Sequence, residues 1–435
     1  GVKFHNGRAL AADDIKYSIE RTVNPATQSP GAGFFGSIKG FEEATAGDGS
    51  LSGITVVDPQ TVRIELSRPD ATFLHVMALN FSSVVPKEAV EEHGADFGKH
   101  PVGTGAFRMA EWTIGQRLVL EKNPDFWTPG IPYLDRITFE IGQEPVVALL
   151  RLQKGEVDVP GDGIPPAKFQ EVMADPGQKA RVVEGGQLQT GYVTMNVTKP
   201  PFDKPEVRKA LNMAIDKKAI VDAVYQGSAV VAKNPIPPTM WGYNDTIEED
   251  KYDPEAAKAA LEAAGVKDLT MEVWAMPVQR PYMPNARRTA ELIQNDFSKI
   301  GVKVDIVSYE WGEYLKKSME EGRKGAVILG WTGDNGDPDN FLSVLLSCAA
   351  ATPGGANRAY WCNQEFSDII AKAKTTSDHA ERVKLYEQAQ VIFKQDEPWA
   401  TLAHSTQYVP MRKEVTGFVQ SPLGDYTFET VDLTE

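Results

Sequence analysis

The spacing of apolar and polar positions changes period several times along the chain. At the start Val2 and Phe4 alternate as in a strand, "NG" marks a turn, and Ile15, Ile19 and Val23 recur at helical spacing behind Asp13 and Asp14. "ITVVDPQTVRIEL" (54–66) predicts two strands about a "DPQ" turn, and further strands are predicted at 116–123 and 134–142, so the first third is strand-rich. "EPVVALLRLQKGEVDV" (144–159) predicts a helix stopped by glycine, then a short strand. The strand-like "GYVTMNVTKPPF" (191–202) leads into "DKPEVRKALNMAIDKKAIVDAVYQG" (203–227). There Pro205 occupies the first turn, Val207, Ala210, Leu211, Ala214 and Ile215 form one apolar face, and Gly227 ends the helix. "DPEAAKAALEAAG" (253–265) repeats this grammar, with Asp253 as cap, Pro254 at the first helical position and Gly265 past the end.

The pattern is most informative between 269 and 331. "LTMEVWAMP" (269–277), "VKVDIVSY" (302–309) and "GAVILGW" (325–331) read as strands, separated by the helices "NARRTAELIQNDFSKIG" (285–301) and "WGEYLKKSMEEG" (311–322). This βαβαβ order predicts a parallel sheet with right-handed crossovers. In open α/β sheets, ligands bind beyond the carboxyl ends of the strands. Arg280 and Tyr282 follow the first strand, Glu310 and Trp311 the second, and Trp331 and Asp334 the third. Chain order alone therefore gathers charge of both signs and three aromatic rings at one edge of one sheet.

"LGWTGDNGDPDN" (329–340) also brings Asp334, Asp337 and Asp339 close together. A calcium loop of the EF-hand type needs Gly at its sixth position and Glu at its twelfth, whereas counting from Asp334 gives Asp339 and Leu345. Asp337 and Asp339 are expected to cap the helix beginning near "NFLSVLLS", with Pro338 in the turn. Asp334 differs, because it follows the strand end directly, between Gly333 and Gly336. A carboxylate at a strand mouth, with Trp331 nearby, suits an organic ammonium. Arg280 at the neighbouring mouth would take a carboxylate in a two-pronged geometry that Lys cannot copy, so the pair describes a site for a zwitterion. The competing reading makes Arg280 a surface residue in a Pro-rich loop.

Composition narrows the field. At 435 residues the chain has room for two or three domains. No run approaches the ~18 consecutive apolar residues of a membrane span. A net charge of −15 argues against a nucleic-acid partner, which would need clustered Lys and Arg. The hydrolase, zincin and phosphate-loop signatures G-x-S-x-G, H-E-x-x-H and G-x-x-x-x-G-K-[ST] are absent from the sequence. His93 and His100 flank "GADFGK" as either a metal hint or exposed polar residues, and "VGTGAF" (102–107) reads as a tight turn. Cys348 and Cys362 have no His at zinc-ligand spacing; they form either a disulfide, which would imply an oxidising compartment, or two buried thiols. No signal peptide is visible, and a chain opening inside a strand-turn-helix unit is expected to have lost its true start.

With these residues in view, the chain resembles the periplasmic peptide-binding proteins of ABC importers, the large extracellular solute-binding proteins of the dipeptide and oligopeptide type. The resemblance runs nearly end to end, through "GVKFHNGRALAADDIKYSIER", "HPVGTGAFRMAEWTIGQRLVLEKNPDFW", "NVTKPPFDKPEVRKALNMAIDKKAI", "RPYMPNARRTAELIQ", "YEWGEYLKK", "GWTGDNGDPDNF" and "AHSTQYVPMRKEV". It implies a two-lobed α/β fold in which lobe I spans 1–185, with 406–435 returning to it, and lobe II spans 186–405. Residues 1–108 would form an extra subdomain of lobe I and 109–185 the rest of it. Family members carry a further stretch before "GVKFHNG", so the N-terminal part of lobe I is expected to be missing here.

Carried over onto this sequence, the resemblance makes Asp334 the partner of a peptide ammonium and Arg280 the partner of its carboxylate. Pro281, Tyr282, Trp331, Thr332 and Gly333 would line the ligand backbone, and Trp311 would wall its side-chain pocket. Cys348 and Cys362 would form a disulfide. The implied activity is capture of dipeptides by lobe closure and delivery to ABC permease subunits. The protein would be a monomer without cofactor or metal, in the periplasm or anchored outside the cytoplasm as a lipoprotein. Other solutes on the same fold (5-aminolevulinate, haem, glutathione or a longer peptide) and, more remotely, a peptidase are the alternatives.

Overall fold

The computed structural model describes residues 1–161 and 163–434. The chain divides into two compact units: Gly1–Gly161, Met411–Gln420 and Asp425–Glu435 form one, and Asp162–Pro410 with Ser421–Gly424 form the other.

In the first unit, α1 (Ala12–Val23) starts where the Asp14 carboxylate accepts the backbone N–H of Ala11 at 2.9 Å. The predicted apolar stripe buries Ile19 and Val23 in a small core with Phe35, Ile38, Leu51 and Ile54. The hairpin about "DPQ" is present as β1 (Ile54–Asp58) and β2 (Thr61–Ile64). β3 (Phe107–Thr113), β4 (Arg117–Lys122) and β5 (Arg136–Glu140) form an antiparallel meander, and a helix covers Pro145–Gln153. Two strand expectations differ. The opening residues make only an isolated bridge, Lys3 to Ala9, because the turn at Gly7 (φ +87°) leaves too little chain on either side to pair. Residues 156–159 form no strand; Gly155 (φ +76°) and Pro160 bound a segment too short to build a ladder.

The second unit is built on a mixed seven-stranded sheet. Its strands and principal helices are β6 (Val182–Gly186), β7 (Gln189–Met195), β8 (Ala229–Val231), β9 (Thr270–Trp274), α2 (Ala286–Lys299), β10 (Lys303–Val307), α3 (Trp311–Ser318), β11 (Ala326–Thr332), α4 (Asp339–Leu346), α5 (His379–Asp396) and β12 (Trp399–Pro410). The order is β10-β9-β11-β7-β12-β6, with β8 beside β12. β9 is parallel to both β10 and β11, so the predicted βαβαβ unit is present. α2 leads from β9 to the edge strand, and α3 returns the chain to the other side of β9. That reversal is the topological switch at which α/β sheets open a crevice. Beyond β11 the sheet turns antiparallel, since β11 pairs with β7.

α2 fits its sequence signals: Asn285 caps it by accepting the N–H of Arg288, its Ala290, Ile293 and Phe297 are buried, and Gly301 (φ +78°) follows its end. The helix expected through 203–227 is broken. It ends at Met213 and a new one starts at Lys217, because the Asp216 side chain caps Ala219 while its own N–H donates to Asp296 on α2 at 2.9 Å. The helix Pro254–Ala263 is capped by Asp253 as expected.

The unit boundaries fall at 161 and 410, where sequence reading expected 185 and 405. The physical reason is β6, which pairs with the Thr406–Pro410 half of β12 and so extends the sheet of the second unit. The tail also gives four residues back. Leu188 donates to the Pro422 carbonyl at 2.8 Å, and Leu423 packs against the core of the second unit.

Candidate functional site

All the singled-out ligand residues lie in the second unit: Arg280, Pro281 and Tyr282 on the loop after β9, Trp331 and Thr332 at the end of β11, Gly333 and Asp334 just past it, and Trp311 at the start of α3. After β9 the chain makes a tight turn in which Met283 N–H donates to the Arg280 carbonyl at 2.8 Å. Tyr225 fixes this turn from below, its hydroxyl donating to the Tyr282 carbonyl at 2.7 Å. The Tyr282 ring lies over Gly330 of β11: a Cβ there would meet Tyr282 Cδ2 at 2.2 Å. The missing side chain at 330 is therefore what lets the first loop sit down on the third strand.

Arg280 extends from this turn with its guanidinium 5.2 Å from the Trp311 ring. It is exposed, like Pro281, while Tyr282 is buried. Burial raises the pKa of the Tyr282 hydroxyl, and the nearby Arg280 opposes that shift. Trp311 opens α3, whose first turn is capped by Glu310; its carboxylate accepts the N–H of Gly312 at 2.8 Å and of Glu313 at 3.2 Å. Glu310 thus spends its charge on a helix end.

Past β11, Gly333 donates its N–H to the Leu188 carbonyl at 2.7 Å, and a Cβ at 333 would stand 2.8 Å from Phe341. Thr332 ends the β11–β7 ladder opposite Gln189. Next comes Asp334, whose backbone N–H donates to Asn340 Oδ1 at 2.9 Å and whose Oδ2 accepts from Asn340 Nδ2 at 2.9 Å. The Trp331 indole N–H reaches the same Oδ1 at 3.0 Å. Desolvation raises the Asp334 carboxyl pKa, and the Asn340 bond pulls it back down. Among the described residues neither Asp334 nor Arg280 has an ion-pair partner, so opposite charges stand unneutralised at the mouths of β9 and β11.

The structure assigns the neighbouring aspartates other work. Asp337 is fully buried and meets the Arg382 guanidinium at 2.8 Å; it also accepts the N–H of Asp339 at 3.0 Å, which is part of the expected cap. Asp339 does not cap α4. It sits in the first turn, bonded to Ser343 and to Lys374 at 3.1 Å. The loop is held from behind as well, since Arg382 lies 4.9 Å from the Trp241 ring and the Trp241 indole donates to the Gly336 carbonyl at 2.8 Å.

Sequence reading missed Asn340, Arg382, Tyr225 and Gly330. Asn340 had the one usable signal, an amide in the first turn of a largely apolar helix, six residues after Asp334. Cys348 and Cys362 form a disulfide. His93 and His100 stack at 4.6 Å beside a cavity of about 460 Å³ in the first unit, and no group of three or more His, Cys, Asp or Glu among the described residues is arranged to hold a metal.

Comparison with known proteins gives consistent results. Residues 1–353 match the family described as bacterial extracellular solute-binding proteins, family 5 (middle). The dipeptide-binding protein of Escherichia coli is 42% identical over 448 aligned positions, which take in 100% of this chain and 82% of that protein. Heme-binding protein A of Haemophilus influenzae is 38% identical, over 100% of this chain and 80% of its own length. Among solved structures, the dipeptide binding protein of Pseudoalteromonas sp. SM9913 in complex with Met-Leu superposes with a TM-score of 0.83 at 32% identity, covering 100% of this chain and 86% of that one. The chain, a mixed α/β protein with the two-lobed fold of these structures, belongs to the bacterial extracellular solute-binding proteins of family 5.

Proposed function

We propose that this protein captures dipeptides outside the cytoplasm and hands them to the permease subunits of an ABC transporter, acting as a monomer and without chemistry of its own. The observation that carries the reading is the pair of unneutralised charges: Arg280 for the peptide carboxylate and Asp334 for its ammonium. Tyr282, Pro281, Trp331, Thr332 and Gly333 would follow the peptide backbone, and Trp311 would face a side chain. Relatives named as dipeptide-binding proteins support the choice of solute. Enclosure would desolvate both peptide termini, which strengthens each charged contact and makes an unpaired terminus costly. Selectivity for free termini with tolerance of side chains follows, because a roomy side-chain pocket can keep water. The family's setting supports a periplasmic location, and no described helix is long and apolar enough to cross a membrane.

The test is a thermal-shift titration with Ala-Ala beside its N-acetylated and C-amidated forms. Ligand at ~100-fold above its dissociation constant should stabilise by about 2.7 kcal/mol. Stabilisation by the free dipeptide alone supports the reading. Equal stabilisation by blocked forms, or by haem in place of any dipeptide, overturns it.

A further inference from the structure

The Asn340 side chain is 3% exposed, and its amide is committed on both sides. Two N–H donors, from the Trp331 indole at 3.0 Å and the Asp334 backbone at 2.9 Å, converge on Oδ1. Rotating the amide by half a turn would set its NH₂ against both donors, so the orientation is forced. Nδ2 must then face the Asp334 carboxylate, and does so at 2.9 Å. A donor fixed in that position favours the ionised carboxylate over the protonated form.

The charged groups around this loop leave that task to Asn340. Asp337 is engaged by Arg382 and Asp339 by Lys374, while Arg280 leans on Trp311. Asp334 keeps an exposed surface, so its carboxyl is only partly desolvated; that desolvation and the Asn340 bond oppose one another. Asn340 itself is well founded, since it sits in the first turn of α4 and its N–H donates to the Asp337 carbonyl at 3.1 Å.

We propose that Asn340 is a positioning residue: it keeps Asp334 charged, aims it at an organic ammonium with the Trp331 ring locked beside it, and so sets the lower pH limit of ligand capture. This rests on the reading of Asp334 as the ammonium partner. Asn340 need not touch the ligand. Its effect passes through the charge and direction of Asp334.

Two measurements on the full chain separate this role from plain structural support. The Asp334 carboxyl is titrated by carbon-13 NMR in the unliganded protein, its signal assigned by its loss in Asp334→Asn. Ala-Ala affinity is then followed by calorimetry across the same pH range, in the wild type and in Asn340→Ala. The expected result is that Asp334 takes up its proton at higher pH in the variant, and that the acid limb of binding moves with it. Loss of one hydrogen bond to a charged group lowers affinity about tenfold within the shifted window. At higher pH, where Asp334 is ionised in both proteins, the deficit should narrow. An Asp334 titration unmoved by Asn340→Ala overturns the proposal, as does an affinity loss that is the same at every pH. Should Asn340→Ala not fold, Asn340→Ser, which lacks the reach of the amide donor, takes its place in both experiments with the same expected and overturning results. If Asp334 shifts as expected but wild-type protein binds no Ala-Ala at any pH, the dipeptide reading falls while the hold of Asn340 on Asp334 stands.

Discussion

Gly330 shows how much a single absent side chain decides. Its backbone is ordinary strand, so the constraint is space: a methyl group would press into Tyr282 at 2.2 Å and the Thr190 carbonyl at 2.6 Å. Gly191, its partner across the ladder, is closed off likewise by the Tyr282 carbonyl at 2.5 Å. We expect Gly330→Ala to lift the 280–283 turn off the sheet and to cost about 1–3 kcal/mol of stability in urea denaturation. Because Arg280 rides on that turn, dipeptide affinity should fall with it. A Gly330→Ala protein with wild-type stability and affinity would show that the turn is not seated as described. Asp334→Ala, by contrast, leaves that turn seated and should remove dipeptide binding, as measured by calorimetry, with a stability cost of about 1–3 kcal/mol for the Asn340 amide donor it strands.

At the scale of elements, the loop between β11 and α4 is held by α5. The ion pair of Asp337 and Arg382 is buried, with side-chain exposures of 1% and 6%. Removing one partner of such a pair strands a charge, so Arg382→Met should cost about 3–5 kcal/mol in chemical denaturation. The double variant Arg382→Met, Asp337→Asn should recover part of that loss, since no uncompensated charge remains. If the double variant is no more stable than the single one, the cost lies in packing against Trp241 and Tyr386 instead. The disulfide constrains the segment between α4 and the following helix (Gln364–Thr375). Closing a loop of this length restricts the unfolded chain by about 3 kcal/mol, and reduction should lower the denaturation midpoint accordingly.

For the molecule as a whole, two buried groups give stability opposite slopes with pH. His404 lies on β12 with Nδ1 at 3.1 Å from the Gln189 carbonyl, and burial pushes its pKa from 6.5 down to about 4. It is neutral when folded but takes a proton when unfolded, so stability is lost as pH falls from about 6.5 through 4, by about 3 kcal/mol. Glu397, at the end of α5, behaves in the other sense. Burial, reinforced by a hydrogen bond with Asp250, raises it from 4.5 to about 7, against the pull of Lys394. It holds its proton when folded, so its contribution is lost as pH rises from about 4.5 through 7. The two trends oppose one another through the mildly acidic range. Denaturation curves across pH should therefore show a shallower acid limb in His404→Gln and a shallower decline above pH 4.5 in Glu397→Gln. Unchanged slopes would mean that these groups do not titrate in the folded protein as their burial implies.

Much of this was legible without coordinates, for a physical reason. Helix and strand periods, the cap Asp253, and the stops Gly265 and Gly301 are local, so the βαβαβ unit and the edge carrying Arg280, Trp311, Trp331 and Asp334 followed from chain order. What remained hidden depends on residues distant in sequence. The break at Asp216 needs Asp296 on α2, and the unit boundary at 161 needs β12 to return and pair with β6. The fate of Asp337 was set by Arg382, and Asp339 was drawn from capping by Lys374. The sequence by itself determined which elements form and which charges reach the mouths of β9 and β11. Only the tertiary structure decided which of those charges stay unpaired, because neutralisation depends on partners that folding brings from elsewhere in the chain.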